Sequence, residues 1–444
     1  MFTRNKDELS KDYILLGTNL EMALMFKWLL LIFCLINPLF YVDGMELRAA
    51  QEVCFQISGM ILIMSGMMFQ NRTKALTEKG LSISLFAFFA WAMMVFLKYN
   101  DGFPVILNLF IGFGVYLVTI KCLEKEDIVF VIKGLLWLAV YAIVYLALQY
   151  LNYDMRGQTS RSFGAVPHTS FFGLEACYGM YLAMVFILLL GISFINHIEL
   201  DSRKTLSILK IFSVGIFLIL LLTACWQSNS TGVFAGLTVG MLIYLWFQRR
   251  VFFWLLSAPM IICSLCFVLF YDCPQGMQGT RIDMWKKVIT DSHREPFGHG
   301  LDSFRWNKDG AIRYFKYPFN NTTTRIMKQG NNLAFLDPVS NDLIEETRKN
   351  NGEIKLDWWD NAHNLFVQSI YEMGFPVIIL MGSILYFLGV MFKQCRKTPL
   401  DTALFCSLVS IMICSLTQFP FNLARNGSLI PVVLGMFVIS TREE

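Results

Sequence analysis

The sequence predicts an all-α, polytopic integral membrane protein with about 12 transmembrane helices and one large extracytoplasmic loop. Three observations carry that expectation. The chain of 444 residues is 55% hydrophobic and only 16% charged, where a soluble protein carries about a quarter charged residues. Apolar stretches long enough to cross hydrocarbon recur along nearly its whole length, and the mean hydropathy is +0.52. Basic residues, finally, concentrate in alternate connections between those stretches.

Taken in order, residues 1–21 mix Lys and Arg with Asp and Glu and lack a small-residue cleavage pattern. They are expected to form a cytoplasmic tail leading into an uncleaved first helix. Helices 1–9 are expected within 22–270, at about 22–41, 50–70, 79–97, 102–120, 128–149, 171–193, 205–225, 230–247 and 251–270. A polar loop, 271–364, follows. Helices 10–12 are expected within 365–440, at about 365–391, 402–419 and 425–440, before a cytoplasmic tail at 441–444. Pro420 and Pro431 make 402–440 readable either as two short helices or as one broken unit.

With the N-terminus cytoplasmic, the basic connections all fall inside. They hold Arg72, Lys74 and Lys79; Lys121 and Lys125; Arg203 and Lys204; Arg249 and Arg250; and Lys393, Arg396 and Lys397. The stretches near 150–170 and 271–364 then share the outer face. Nearly all of the 11 cysteines lie in apolar segments or inner loops, and only Cys273 clearly belongs outside. No disulfide framework is expected, and the cysteines read as small core hydrophobes. The net charge of +4 follows from inner-loop bias, so no nucleic-acid partner is expected. There is no Walker-type loop or internal repeat. His293, His299 and His363 have no Cys or His at ligand spacing, so no metal and no cofactor are expected.

The loop has its own organisation. Gly279-Thr280 followed by Arg281–Ile289 reads as a capped amphipathic helix, with Ile282, Trp285 and Ile289 on one face. Pro296-Phe-Gly-His-Gly300 reads as a tight turn whose glycines explain its bend without a catalytic role for His299. The Asn- and Thr-rich stretch 319–353 reads as lightly structured. Trp358 and Trp359 suit an interfacial belt, and Asn361 is placed to cap a helix beginning near His363. The stretch Trp359-Asp-Asn-Ala-His-Asn364 is the sharpest functional cue, because it sets polar side chains where a long aqueous loop re-enters the membrane.

Three segments carry a resemblance. Arg161-Ser-Phe-Gly-Ala-Val-Pro-His168 precedes a central helix. Arg281 with Trp285, then Pro296-Phe-Gly-His-Gly-Leu-Asp-Ser-Phe304, opens the large loop. Ala362-His-Asn364, then Gln368, Glu372, Met373 and Gly374, closes it. In order, spacing and side of the membrane they resemble the O-antigen ligase and O-antigen polymerase superfamily of bacterial envelope enzymes, over about residues 161–380. The resemblance implies a metal-independent glycosyltransferase of the bacterial inner membrane. Its donor is a glycan on undecaprenyl diphosphate; its acceptor is another glycan or a lipid. Its surroundings are the lipid bilayer and other polysaccharide-assembly proteins.

The resemblance implies His363 as the catalytic residue and Arg161 and Arg281 as diphosphate-binding residues. The chemistry agrees: guanidinium forks stabilise charge developing on a departing diphosphate, and an imidazole has a near-neutral pKa for taking an acceptor proton. Asp357 or Asp360 could orient that imidazole, and Glu175 and Arg425 are accessory candidates. Each also has a plainer reading. His363 could be an interfacial or helix-start residue, Arg161, Arg281 and Arg425 headgroup or loop contacts, and Glu175 an interfacial carboxylate. Two positions depart from the family pattern: Pro167-His168 stands where the family usually reads Pro-Asn, and a later stretch of the family often reads Ser-Arg-Gly. Here Gln227-Ser-Asn-Ser-Thr-Gly232 puts Thr231 in place of the arginine.

Three functions therefore stand. Surface polysaccharide polymerisation is preferred, because no feature points to a lipid A core acceptor. Ligation of a finished glycan to a lipid or protein is the second. A transporter or flippase of lipid-linked or small solutes is the third, disfavoured because the polar candidates gather on one face rather than at mid-membrane.

Overall fold

The computed structural model describes residues 24–40, 47–68, 79–151, 175–198, 230–270, 285–286, 288–304, 312–316, 323–329, 332–335, 364–416 and 427–442. The expected helix at 205–225 lies outside them. The helices, numbered along the chain, are α1 (Leu24–Leu39), α2 (Leu47–Met68), α3 (Lys79–Tyr99), α4 (Phe103–Cys122), α5 (Lys125–Tyr150) and α6 (Glu175–Ile198). They continue with α7 (Thr231–Gln248), α8 (Arg250–Phe270), α9 (Leu365–Met373), α10 (Pro376–Gln394), α11 (Pro399–Cys414) and α12 (Leu429–Ser440).

Four of these are long and apolar enough to cross a membrane: α3, α4, α5 over Lys125–Gln149, and α10. Apolar helices of 10–17 residues accompany them in α1, α6, α7, α8, α11 and α12. The chain is a multi-pass membrane protein. Its lipid-facing side chains are plain on α8, which packs on α7 and leaves Val251, Phe252, Trp254 and Leu255 exposed.

Helix α11 is the centre of the bundle. It lies between α6 and α7, with α12 packed beside it and against α4. In lipid, helices associate through close van der Waals packing at small residues, and the seams follow that rule. A Cβ at Gly236 would fall 2.5 Å from the Ser410 carbonyl oxygen, and one at Gly191 would fall 2.5 Å from Ala403 Cβ. The start of α11 is fixed by Pro399 at its first turn and by a reciprocal cap. Thr398 Oγ1 accepts the Asp401 N–H at 3.2 Å, while Asp401 accepts the Thr398 N–H at 3.1 Å. At the start of α5, Asp127 bonds Lys27 of α1 at 3.1 Å, joining those two helices at one end.

The structure corrects the expected helix 365–391. That stretch is two helices, α9 and α10, divided at Gly374, whose φ of +79° ends α9. Pro376 then begins α10, where its missing N–H leaves no intrahelical bond unmade. The candidate membrane span is α10 alone, and α9 belongs to the loop's base.

The loop contains one small antiparallel sheet, of order β1 (Ile312–Lys316), β2 (Thr323–Gln329), β3 (Asn332–Phe335). Its register pairs Tyr314 with Arg325 and Ile326 with Phe335. Part of 319–353, expected to be lightly structured, is therefore in strands. Elsewhere the described fold is helical.

Candidate functional site

The described base of the loop is built from its two ends. Residues 296–300 lie against the C-terminus of α9, joined by a set of backbone hydrogen bonds. The His299 N–H donates to the Tyr371 carbonyl at 2.9 Å, the Gly300 N–H to Glu372 at 3.0 Å, and the Phe375 N–H to Pro296 at 2.9 Å. Gly298 (φ +91°) and Gly374 (φ +79°) make that approach possible. A Cβ on Gly298 would fall 2.3 Å from the Glu372 carbonyl oxygen, and one on Gly374 would fall 2.3 Å from that of Pro296. Conformation and space both exclude a side chain at either position.

Side chains seat the turn more firmly. The His299 ring stacks on Tyr371 with centroids 4.1 Å apart and planes within 6°. Phe304 meets the same tyrosine edge-on at 5.6 Å. Trp285, Val288 and Val367 complete this apolar cluster, so Trp285 and Val288 rest on α9, while Ile289, expected on the face of Trp285, is exposed. Offset and edge-on aromatic pairs of this kind contribute roughly 1 kcal/mol each beyond their buried area.

The membrane helices hold this base in place. Trp91 of α3 donates its indole N–H to the Met373 carbonyl at 2.8 Å. The Tyr99 hydroxyl donates to the Gly298 carbonyl, and Lys98 Nζ reaches the Tyr99 hydroxyl at 2.8 Å. At the other end of α9, the Leu365 N–H donates to the Ser415 carbonyl just past α11, at 2.9 Å. The ends of α3 and α11 and the start of α4 therefore share one face with the loop base, the loop face.

Asn364 is the cap of α9. Its Oδ1 accepts the N–H groups of Phe366 at 3.0 Å and Val367 at 3.1 Å. This corrects the expectation that Asn361 caps a helix starting near His363. The helix starts at Leu365, and His363 immediately precedes its cap.

Glu372 is the titratable group at the centre of the base. It is 6% exposed, and burial pushes its carboxyl up to about 8. Gln368 donates to it at 2.9 Å and opposes the rise, the nearby Asp302 carboxylate adds to it, and the Asp302 and Phe304 N–H groups oppose it again. A carboxyl from the loop's end is thus bonded to backbone from its beginning.

Of the sequence-predicted site residues, His363, Arg161, Arg281, Asp357, Asp360 and Arg425 lie outside the described residues. Glu175 is the first residue of α6, with only its backbone described. Thr231 is the first residue of α7, following Ser230. Two of the three segments behind the resemblance, 296–304 and 364–374, are in direct contact. Sequence reasoning gave no role to Trp91 or Tyr99. Tyr99 carried a signal, an amphipathic aromatic at the end of an apolar span, whereas Trp91 lies well inside α3 and carried none. No protein-family model and no curated protein matches the chain.

Proposed function

We propose that the protein is a glycosyltransferase of the bacterial inner membrane, with its N-terminus cytoplasmic, that joins glycan repeats carried on undecaprenyl diphosphate at the outer face. The observation that supports this reading best is the clasped loop base. Asn364, the residue after His363, is locked as a helix cap, and Leu365 beside it is bonded to Ser415. A site built on such a base holds its groups in place before the acceptor arrives, and positioning of that kind contributes to rate through saved entropy.

In this reading His363 takes the acceptor proton while Arg161 and Arg281 stabilise the diphosphate as the anomeric bond breaks. Asp357 or Asp360 orients the imidazole, and Glu175 and Arg425 are accessory groups. The chemistry is an inverting displacement in which the lipid diphosphate leaves. Polymerisation is preferred over ligation to a finished lipid or protein acceptor, since no residue stretch points to a lipid A core. The test is reconstitution of the purified protein in liposomes with undecaprenyl-diphosphate-linked repeats. Lengthened lipid-linked chains support the proposal. Unchanged single repeats in the presence of correctly folded protein overturn it.

A further inference from the structure

Two helical hairpins are latched together on the face opposite the loop. Helix α10 leaves the loop base at Phe375 and α11 returns to it at Ser415, so the α10–α11 connection, residues 395–398, lies on the far face. Gln248, the last residue of α7, donates through Nε2 to the Lys397 carbonyl at 2.7 Å and to Thr402 Oγ1 at 2.6 Å. The α7–α8 corner therefore meets that connection directly. Arg249 and Arg250 form the corner, while Lys393, Arg396 and Lys397 come from the end of α10 and the connection after it. All of these cations stand at helix ends, the level of lipid headgroups.

The corner differs from a general excess of positive charge. Helices α7, α8 and α10 and the connection contain no Asp or Glu. Asp401, at the start of α11, is 2% exposed and already engaged in its reciprocal cap. Among the described residues neither Arg250 nor Lys397 has an ion pair. Lys397 also has a φ of +53°, where Gly or Asn is the usual occupant, so the backbone gives no reason for a lysine there. Its half-buried ammonium is held 5.2 Å from the Phe247 ring centroid and 6.0 Å from that of Phe392. The Arg250 guanidinium stands 5.5 Å from the Trp246 ring. These rings are themselves fixed, Phe247 edge-on to Phe392 and Trp246 edge-on to Phe253, each pair at 5.0 Å. Two cations without acidic partners are thus placed in advance, which lowers the ordering cost of binding an anion.

Apolar surface adjoins them. Trp246 and Phe247 are 39% and 41% exposed, and Val251, Phe252, Trp254 and Leu255 continue that surface along α8. Cations at the helix end with an apolar face beside them match a phosphate headgroup and its acyl chains. We infer that the α7–α8 corner and the α10–α11 connection bind an anionic phospholipid, its phosphate on Arg250 and Lys397 and its acyl chains along α8. Basic side chains between membrane helices recognise anionic headgroups in this way. A zwitterionic lipid brings a cation of its own, which the uncompensated positive charge of the corner repels. This inference does not rest on the glycan-transfer reading.

The experiment uses the full chain purified in an uncharged polyoxyethylene detergent, with native mass spectrometry as the readout. The probes are dioleoylphosphatidylglycerol, dioleoylphosphatidylcholine and glycerol 3-phosphate. Each basic side chain near an anionic headgroup contributes roughly fivefold, so the two cations should favour phosphatidylglycerol over phosphatidylcholine by roughly 25-fold. Arg250→Gln combined with Lys397→Asn, a residue that tolerates positive φ, should bring the two lipids to parity. Helix α4 begins beside Leu301 of the loop base, so its end also lies on the far face. Lys121→Gln with Lys125→Gln therefore removes the same charge from that face at the α4–α5 connection and should leave the preference intact. Arg250→Gln alone, at an exposed side chain, serves if the double variant does not elute as a single species in gel filtration; a loss of roughly fivefold is then expected. Equal retention of the two lipids by wild type, an equal loss in both double variants, or an Arg250→Gln protein that binds like wild type would each overturn the inference. Displacement of phosphatidylglycerol by an equal concentration of glycerol 3-phosphate would also overturn it, assigning the corner to a free phosphate.

Discussion

The indole N–H of Trp91, on α3, donates to the carbonyl of Met373, the last residue of α9, at 2.8 Å. The bond spans 282 positions of sequence and satisfies a carbonyl at a helix C-terminus, where no intrahelical donor remains. It also sets the height of the loop base relative to the membrane helices. Replacing Trp91 by Phe keeps an aromatic ring against Phe297 but removes the donor. The cost should be about 1 kcal/mol in thermal or denaturant unfolding of the purified protein. An unchanged midpoint would show that the bond carries no net stability.

Gly298 and Gly374 hold the closest backbone approach in the base. Gly374→Ala places a methyl group 2.3 Å from the Pro296 carbonyl oxygen at a φ of +79°. The turn and α9 must separate to admit it, so the variant should expose the loop to limited proteolysis near 296–304. Gly382→Ala, where a Cβ meets nothing within 4 Å, is the matched control and should cleave like wild type.

Glu372 makes stability depend on pH in a defined window. Its carboxyl stays protonated to about 8 in the folded protein, against 4.5 for an ordinary glutamate. Between those values the unfolded chain binds fewer protons than the folded one, so stability falls as pH rises through the window and levels off above it. The effect is on the order of a few kcal/mol. Thermal midpoints at pH 5 and pH 8.5 should differ more for wild type than for Glu372→Gln. Parallel pH profiles for the two proteins would refute the assignment.

The α7–α11 seam should tolerate no added volume. Gly236→Val must move the Ser410 carbonyl and the Cys414 sulfur, which a Cβ alone would approach at 2.5 and 2.6 Å. A loss of roughly 1–3 kcal/mol is expected, read as a lower thermal midpoint. Gly389→Val, where a Cβ meets nothing within 4 Å, should be close to neutral.

How much of this was legible in the sequence depends on the kind of information involved. Apolar length marked α3, α4 and α5, because a run of some 20 apolar residues has few other uses. The division at Gly374 was not expected, since 365–391 reads as one apolar run. Yet Gly374-Phe-Pro376 carries the glycine-after, proline-before pattern of two successive helices. The sheet was missed because Asn and Thr dominate its surroundings. Gly330-Asn331, between paired Gln329 and Asn332, is a composition that two-residue hairpins use. The contacts of Trp91 and Tyr99 with the loop join positions hundreds of residues apart, and no local pattern encodes such a partner.

The central claim concerns His363, and the most direct measurement is the chain length of surface and lipid-linked glycans in a deletion strain carrying either wild type or His363→Ala. The account predicts single repeats that lengthen only with wild type, with both proteins present at equal level in the membrane. Long chains with His363→Ala, or no glycan difference on deletion, would contradict it.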